Sequence, residues 1–505
     1  MDRVLMAAHA VRGRVLAVAL AACLPLGRLH AQDTQRPPAG PAAAAWSIDR
    51  LDTAMPAGDA RTVLRDAAVR RAELGWMYAI PAFLHMRQRW GWLQGMRAQG
   101  IDPADAYGRF LLLREPTSPR TQDPSPNHDT LYGATFVDLS TGPVVLSVPP
   151  IPDRYWSVAM IDAWFYNFEY VGSRTTGQDG GRWLIAGPSW TGAAPPGITR
   201  VIRAPTDSVN LYQRIWFRDD ADLPDVRRLQ DAITVRPLVS LTDPSAQPRR
   251  ADVARVLADA PYAVADPVGM LRLANRYMGE NPPPASDQAL VEHIAPVGIG
   301  PGATLPSDDA GLAVLRDGAD LALRTLSAMA VEGSRTVNGW EVPPTDVGRR
   351  GAPDGVTRQA LAQIRTIGLN VPQEAVYYAT VTDGTGAPLD ASKRYAMRFE
   401  KGALPPVRRD RHGFWSLTMY DRETLRLVPN AANRYVVRAS DPLVFAPDGS
   451  LTLLLQRDPP ADPALRANWL PAPAKVRFAL NLRVYLGEAA VVTGAYAPPP
   501  VVEIR

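Results

Sequence analysis

Asn127-His128-Asp129-Thr130-Leu131-Tyr132, Gly142-Pro143-Val144-Val145-Leu146-Ser147-Val148-Pro149 and Gly172-Ser173-Arg174-Thr175-Thr176-Gly177 decide how this chain is read. Short β-branched and aromatic runs alternate here with Gly, Pro, Asn and Asp, the signature of strands joined by tight turns. Thr130–Leu139, Val144–Val148, Trp156–Phe165 and Trp183–Ala186 read as strands, with a further strand and turn at Ile202–Arg203 and Asn210–Phe217. The same block is dense in polar side chains. Buried polar groups must be hydrogen-bonded or they cost stability, so the density marks either a tightly specified scaffold or a site.

Outward from this block the pattern changes twice. Upstream, Asp59–Arg71 and Glu73–Met96 are helical in period and interrupted by Pro81, which predicts a helix-turn-helix layer packed on a sheet. Downstream, Asp252–Leu257, Pro267–Met278, Asp287–Ala295, Asp309–Ala330 and Thr357–Arg365 carry three-to-four-residue apolar spacing. Strand patterning returns at Tyr377–Val381, Tyr395–Phe399, Gly413–Tyr420, Tyr435–Arg438, Leu451–Gln456, Val476–Tyr485 and Val501–Ile504, with a hairpin signal at Asp448-Gly449-Ser450. The expected fold is mainly β with helical segments: two antiparallel sandwich or jelly-roll-like domains and a helical middle region. The expected units are an N-terminal β-rich domain over 46–245 with a helical entry, a helical region over 246–370 and a C-terminal sandwich over 371–505.

Residues 1–31 read as a signal peptide: Arg12 and Arg14 precede an apolar run from Val15 to Leu26, and Leu29-His30-Ala31 offers a cleavage site. Leu20-Ala21-Ala22-Cys23 also fits a lipobox, with Cys23 as the lipidated N-terminus after a leader over 1–22. Both readings send the protein to the periplasm or outside the cell, and the second tethers it to a membrane by lipid alone. The Pro- and Ala-rich segment 32–45 reads as a flexible linker.

Composition excludes several classes. Cys23 is the only cysteine, so the folded body has no disulfide, thiolate metal site or cysteine nucleophile. The formal charge is +4, of which the leader supplies most, leaving no electrostatic case for nucleic acid. Six histidines, two of them in the leader, give no metal-site spacing, and no cofactor fingerprint is present. After the leader nothing is long and apolar enough to span a bilayer.

The sequence offers a cleft of Asn127, His128, Asp129, Tyr132, Asp162, Trp164, Asn167 and Arg174. Asp129 and Asp162 would act as general acid and base if the fold brings them together, and Arg174 would clamp an anionic group. The competing reading has Asp129 capping a turn and Arg174 pairing with Asp162 inside the scaffold. In the C-terminal half, Trp415 and Trp469 could form an aromatic platform for a sugar or flat ligand, or plug a sandwich core.

These motifs, together with Arg154-Tyr155, resemble the N-terminal half of a bacterial two-domain family known as domains of unknown function 1254 and 1214. Asn338-Gly339-Trp340, Phe414-Trp415-Ser416-Leu417-Thr418-Met419-Tyr420-Asp421, Asn430, Arg434-Tyr435 and Asn468-Trp469-Leu470-Pro471-Ala472-Pro473 resemble its C-terminal half. The resemblance covers residues 60 to 500 and implies an exported protein with two sandwich-like domains. It brings no catalytic residues with it. Three functions stay open: binding of a glycan, lipid or small organic ligand in a sandwich groove, a carboxylate-dependent hydrolase or lyase, and a structural partner-binding protein of the envelope.

Overall fold

A computed structural model describes residues 55–504 apart from 244, 333–334, 347–353, 367 and 474–476. The leader, Cys23 and the linker lie outside the described residues.

The N-terminal strands are β1 (Leu111–Leu112), β2 (Thr130–Asp138), β3 (Val144–Val148), β4 (Trp156–Ile161), β5 (Asn167–Gly172), β6 (Gly181–Ala186), β7 (Arg200–Arg203), β8 (Ser208–Trp216) and β9 (Thr234–Pro237). They form a five-stranded sheet, β1-β2-β8-β4-β5, and a four-stranded sheet, β7-β6-β3-β9. Alternation puts Val209, Leu211 and Ile215 of β8 on the inner face, where they meet Leu146, Trp183 and Ile185 of the second sheet. This is a sandwich core.

The outer face of the five-stranded sheet is divided. One end lies beneath a helical layer of α1 (Ala57–Ala98), α2 (Pro267–Glu280), α3 (Gln288–Ile294), α4 (Asp309–Glu332) and α5 (Gly355–Arg365). The expected break at Pro81 does not occur: α1 is a single helix of 42 residues with Pro81 inside it. Almost every side chain from Ala72 to Met86 is buried, and that packing outweighs the lost hydrogen bond. At Gly318 of α4 the helices nearly touch, because a Cβ there would lie 2.5 Å from Ala72. The middle helices are therefore a layer on the first domain.

The second sandwich uses β10 (Arg335–Val337), β11 (Trp340–Val342), β12 (Ala375–Thr380), β13 (Arg394–Phe399), β14 (Phe414–Asp421), β15 (Val436–Arg438), β16 (Leu451–Gln456), β17 (Trp469–Pro471), β18 (Phe478–Tyr485) and β19 (Val501–Ile504). The sheets are β10-β11-β12-β18-β14-β15 and β17-β16-β13-β19. Pairing is antiparallel except at β6–β7 and β16–β17, which departs from the purely antiparallel expectation. Asp448-Gly449-Ser450 makes a turn, but β15 and β16 on either side of it belong to different sheets, so it is not a hairpin. Mixed sandwich-like sheets with a helix-rich middle describe the chain, and no closed barrel forms among the described residues.

Candidate functional site

The second half of the outer face of the five-stranded sheet meets the six-stranded sheet of the C-terminal domain. On β14, Trp415, Leu417 and Met419 enter the sandwich core, so Phe414, Ser416, Thr418 and Tyr420 face the other domain. Strand register then builds two matching rows. Tyr132 on β2, Arg214 on β8 and Ser157 on β4 are direct cross-strand neighbours. Tyr377 on β12, Arg483 on β18 and Ser416 on β14 are neighbours in the same way. Each arginine stands on a strand with neighbours on both sides.

Polar side chains close the seam between these rows. Asn127 donates to the Tyr132 hydroxyl at 2.7 Å and to the Tyr485 hydroxyl at 2.8 Å, one from each domain. Asp129 is fully buried, accepting from Ser416 Oγ at 2.6 Å and from Arg438 Nε at 3.2 Å. Arg438 also donates to the His128 carbonyl at 2.6 Å. Arg174 donates to Glu374 at 2.6 Å, and the other Glu374 oxygen accepts from Tyr155 at 2.7 Å. Arg483 donates to Thr418, Tyr420 and the Ser125 carbonyl. Phe414 stacks on Tyr485 with ring centres 4.6 Å apart, supplying apolar area beside the polar network.

Charge in the seam is unbalanced. Arg174 and Arg438 have the carboxylates of Glu374 and Asp129, whereas Arg214 and Arg483 have only neutral oxygen atoms and aromatic faces. Arg214 is 5 % exposed, donates from Nη2 to the Gly368 carbonyl at 3.2 Å and leaves Nη1 without a protein acceptor. Its guanidinium carbon lies 4.6 Å from the Tyr212 ring centre and 5.7 Å from that of Tyr132. Burial opposes the charge, and the surrounding tyrosine oxygens outweigh it, holding the pKa above the usual arginine value. The phenols respond in the opposite sense. Burial, with further phenols beside it, pushes Tyr485 well above its ordinary value, and burial with the nearby Glu374 carboxylate does the same to Tyr155.

A small pocket lies beside β12. A pocket of about 30 Å³ has walls that include Val342, Pro372, Val376 and Val492, and its polar lining includes Asn370 and Tyr377. Asn370 donates to the Tyr377 hydroxyl at 2.7 Å. The segment carrying Asn370 is fixed from the first domain by Asn167 on the Leu369 carbonyl (2.7 Å), Arg214 on the Gly368 carbonyl and Tyr170 accepting from Val371 N–H (3.2 Å).

The residues singled out in the sequence divide accordingly. Asn127, His128, Asp129, Tyr132 and Arg174 come together in the seam, and Asn167 holds the segment beside it. His128 is pinned by the Thr117 carbonyl at 2.7 Å and packed between Phe217 and Tyr435; burial, with Arg438 nearby, lowers its pKa. Asp162 and Asp129 do not pair. Asp129 precedes Thr130, opposite Trp216, and Asp162 follows Ile161, opposite Asn210. Those partners are six residues apart along β8, about 20 Å at the rise of a strand. Asp162 instead accepts from the N–H groups of Trp164 and Tyr166 at 2.9 Å each, capping a turn in which Phe165 adopts φ +61°. Arg174 pairs with Glu374 and not with Asp162.

The aromatic platform is not assembled either. Trp164 and Trp415 are each 2 % exposed in separate cores, and Trp469 is tied by Nε1 to the Gln456 carbonyl at 2.8 Å. The notable omissions are Arg214, Glu374, Tyr377 and Arg483. Arginine in a strand otherwise alternating apolar and aromatic residues was the available signal for Arg214 and Arg483. Among the described residues no group of His, Cys, Asp and Glu is placed to hold a metal, and no helix is long and apolar enough to cross a membrane.

Residues 107–237 match the family described as protein of unknown function DUF1254, and residues 374–489 match the one described as protein of unknown function DUF1214. No curated protein matches the chain. The crystal structure of the VPA0106 protein from Vibrio parahaemolyticus is similar over 87 % of this chain and 100 % of its own, with 22 % identity and a TM-score of 0.68, which is a likeness of fold. A putative uncharacterized protein from Burkholderia cenocepacia covers 89 % of this chain and 97 % of its own at 14 % identity and a TM-score of 0.44. The seam thus joins the two matched regions, and the chain is a two-domain protein with an N-terminal DUF1254 domain and a C-terminal DUF1214 domain.

Proposed function

We propose that this is an exported ligand-binding protein whose interdomain seam takes a small organic acid. The carboxylate would meet Arg214, and a short apolar tail would lie in the pocket between Val376, Pro372 and Val492. The observation that carries this reading is the buried Arg214 guanidinium, which has no carboxylate partner and leaves Nη1 unsatisfied. A buried cation without a counter-charge costs several kcal/mol, and an arriving carboxylate would offset that cost through charge-assisted hydrogen bonds. Phenol hydroxyls of Tyr132 and Tyr377 around it, which accept from Asn127 and Asn370, keep an O–H to donate to an anion.

The pocket limits what can bind. A space of about 30 Å³ favours a short apolar tail over a glycan or a long lipid chain. The Asn370–Tyr377 hydrogen bond joins two residues of the pocket wall, on the segment whose Gly368 carbonyl Arg214 holds. Export rests on the basic and apolar leader, and Cys23 supplies the membrane anchor if the lipobox is used. A calorimetric titration with acetate, propanoate and butanoate, beside the uncharged amides of the same acids, tests the proposal. Saturable binding of an acid and none of its amide is expected, and Val492→Trp, which puts an indole into the pocket wall, should abolish it. Equal binding of acid and amide, or unchanged binding in Val492→Trp, would overturn the proposal.

A further inference from the structure

The strands of the two domains correspond one for one. The order β1-β2-β8-β4-β5 recurs as β11-β12-β18-β14-β15, and β7-β6-β3-β9 recurs as β17-β16-β13-β19. A parallel pair falls at the same place in each domain, β6–β7 and β16–β17. A helix follows the equivalent central strand in both, Leu223–Ala232 after β8 and Ala489–Val492 after β18.

Side chains repeat with the strands. Trp156-Ser157-Val158-Ala159-Met160-Ile161-Asp162 along β4 and Trp415-Ser416-Leu417-Thr418-Met419-Tyr420-Asp421 along β14 share Trp, Ser, Met and the Asp that caps the next turn. Tyr132, Ala134 and Thr135 of β2 recur as Tyr377, Ala379 and Thr380 of β12, each strand preceded by a carboxylate, Asp129 or Glu374.

Contacts across the seam repeat as well, with the domains exchanged. Asp129 accepts from Ser416 and Arg438 of the second domain. Glu374 accepts from Arg174 of the first and from Tyr155, whose hydroxyl also meets Ser157. Arg214 donates to the Gly368 carbonyl and Arg483 to the Ser125 carbonyl, with φ +70° at Gly368 and +50° at Ser125. Tyr155 and Phe414 hold equivalent positions and meet with ring centres 5.7 Å apart. Tyr155 also meets Tyr485 as Phe414 meets Trp216. Exchanged contacts of this kind are those of an isologous pair, with a twofold axis between Tyr155 and Phe414.

The two halves then diverge at two places. Thr418 and Tyr420 give Arg483 its hydroxyl partners, whereas the same register positions beside Arg214 carry Ala159 and Ile161, which have none. Beside β2, the Leu113 N–H donates to the Tyr132 carbonyl, and Gln230 of the helix Leu223–Ala232 donates to the Leu113 and Tyr132 carbonyls. The position of Leu113 in β11 falls to Pro343, because Leu111 pairs with Ala134 as Glu341 pairs with Ala379. Proline has no N–H to continue the pairing, and the helix Ala489–Val492 is only 4 residues long against 10 in the first domain. The pocket bounded by Pro343, Tyr377 and Val492 lies at that gap. Both changes fall on one side of the axis, since Arg214 holds the segment that carries Asn370 into the pocket wall.

We infer that the chain is a tandem duplication of one sandwich folded as an internal twofold pair, and that of its two equivalent binding positions only the one between Arg214 and β12 is open. The ligand of that position rests on the acid-binding reading above; the duplication and the open pocket do not.

Crystals of the mature protein pressurised with xenon, an apolar probe of small cavities, test the asymmetry without any acid. Anomalous density beside Val342, Val376 and Val492, with none at the counterpart beside β2, is expected within two superposable sandwiches. Pro343→Leu restores the donor that Leu113 has; it should remove that density and lower butanoate affinity at least about tenfold. Xenon beside both strands or beside neither, or density retained in Pro343→Leu, would overturn the inference, and the parent's map decides if the variant does not fold. Xenon in the pocket of a parent that binds no acid would support the duplication with its open pocket and remove the acid reading alone.

Discussion

Arg214 and Arg483 hold equivalent positions in two facing sheets. Each has a tyrosine on one neighbouring strand and a serine on the other: Tyr132 and Ser157 around Arg214, Tyr377 and Ser416 around Arg483. Both arginines are buried, at 5 % and 3 % exposure, and neither has a carboxylate within ion-pair distance. Their environments then diverge. Arg483 reaches Thr418, Tyr420 and the Ser125 carbonyl, whereas Arg214 leaves Nη1 unused. Arg483 is thus a joint between domains, and Arg214 is the cation that the proposed acid would meet.

Removing the charge of Asp129 should weaken the seam strongly. Asp129→Asn leaves Arg438 buried at 9 % exposure with no anionic partner, and breaking a buried pair costs about 3–5 kcal/mol. Ser416→Ala removes one hydrogen bond to a charged group and should cost about 1.5–3 kcal/mol. Urea unfolding of the single and double variants measures both, with the double variant less destabilised than the sum. Strict additivity would show that the serine and the carboxylate do not interact.

The buried phenols should resist ionisation. Burial raises eleven of the 16 tyrosines above their ordinary value of 10.0, among them Tyr155, Tyr170, Tyr277, Tyr377, Tyr420 and Tyr485. No tyrosine of the chain is exposed, so an ultraviolet titration should show most phenols ionising above pH 10 and the buried ones only as the protein unfolds. A single transition with every tyrosine titrating together in folded protein would contradict the buried cluster.

Acid should act through His85. Burial first, then the nearby Arg89 charge, depresses its pKa to about 3 from 6.5. The unfolded chain therefore binds a proton that the folded one does not as pH falls below 6.5, so stability declines from there towards pH 3 and is fully present above 6.5. The decline is at most about 1.4 kcal/mol per pH unit for one such group. His85→Gln keeps an acceptor for Tyr277 without titrating, and its urea midpoint should fall less steeply with acid than that of the parent. Parallel slopes would assign the acid sensitivity elsewhere.

Much of this architecture was legible in the chain. Strands such as Val144–Val148, Leu451–Gln456 and Val501–Ile504 follow directly from β-branched and Leu-rich runs bounded by turn residues. Pro81 misled because local propensity cannot register the packing of Ala72–Met86 against α2, α4 and the sheet. The site was half legible. Polar density marked Asn127, Asp129, Tyr132 and Arg174, which meet in the seam, yet their partners Ser416, Glu374, Arg438 and Tyr485 lie hundreds of residues away. Spacing in sequence carries no information on which sheet faces which, so Asp129 and Asp162 looked like a pair when the strand β8 separates them.

The central claim rests on Arg214, and one titration tests it most directly. Butanoate is titrated calorimetrically into the parent protein and into Arg214→Gln, with Arg483→Gln as the control for a change in the seam alone. The expected result is saturable binding in the parent, loss of at least tenfold in affinity in Arg214→Gln, about 1.4 kcal/mol or more, and retained binding in folded Arg483→Gln. Equal affinity in the parent and Arg214→Gln would contradict the account, as would absence of binding of any small organic acid to the parent.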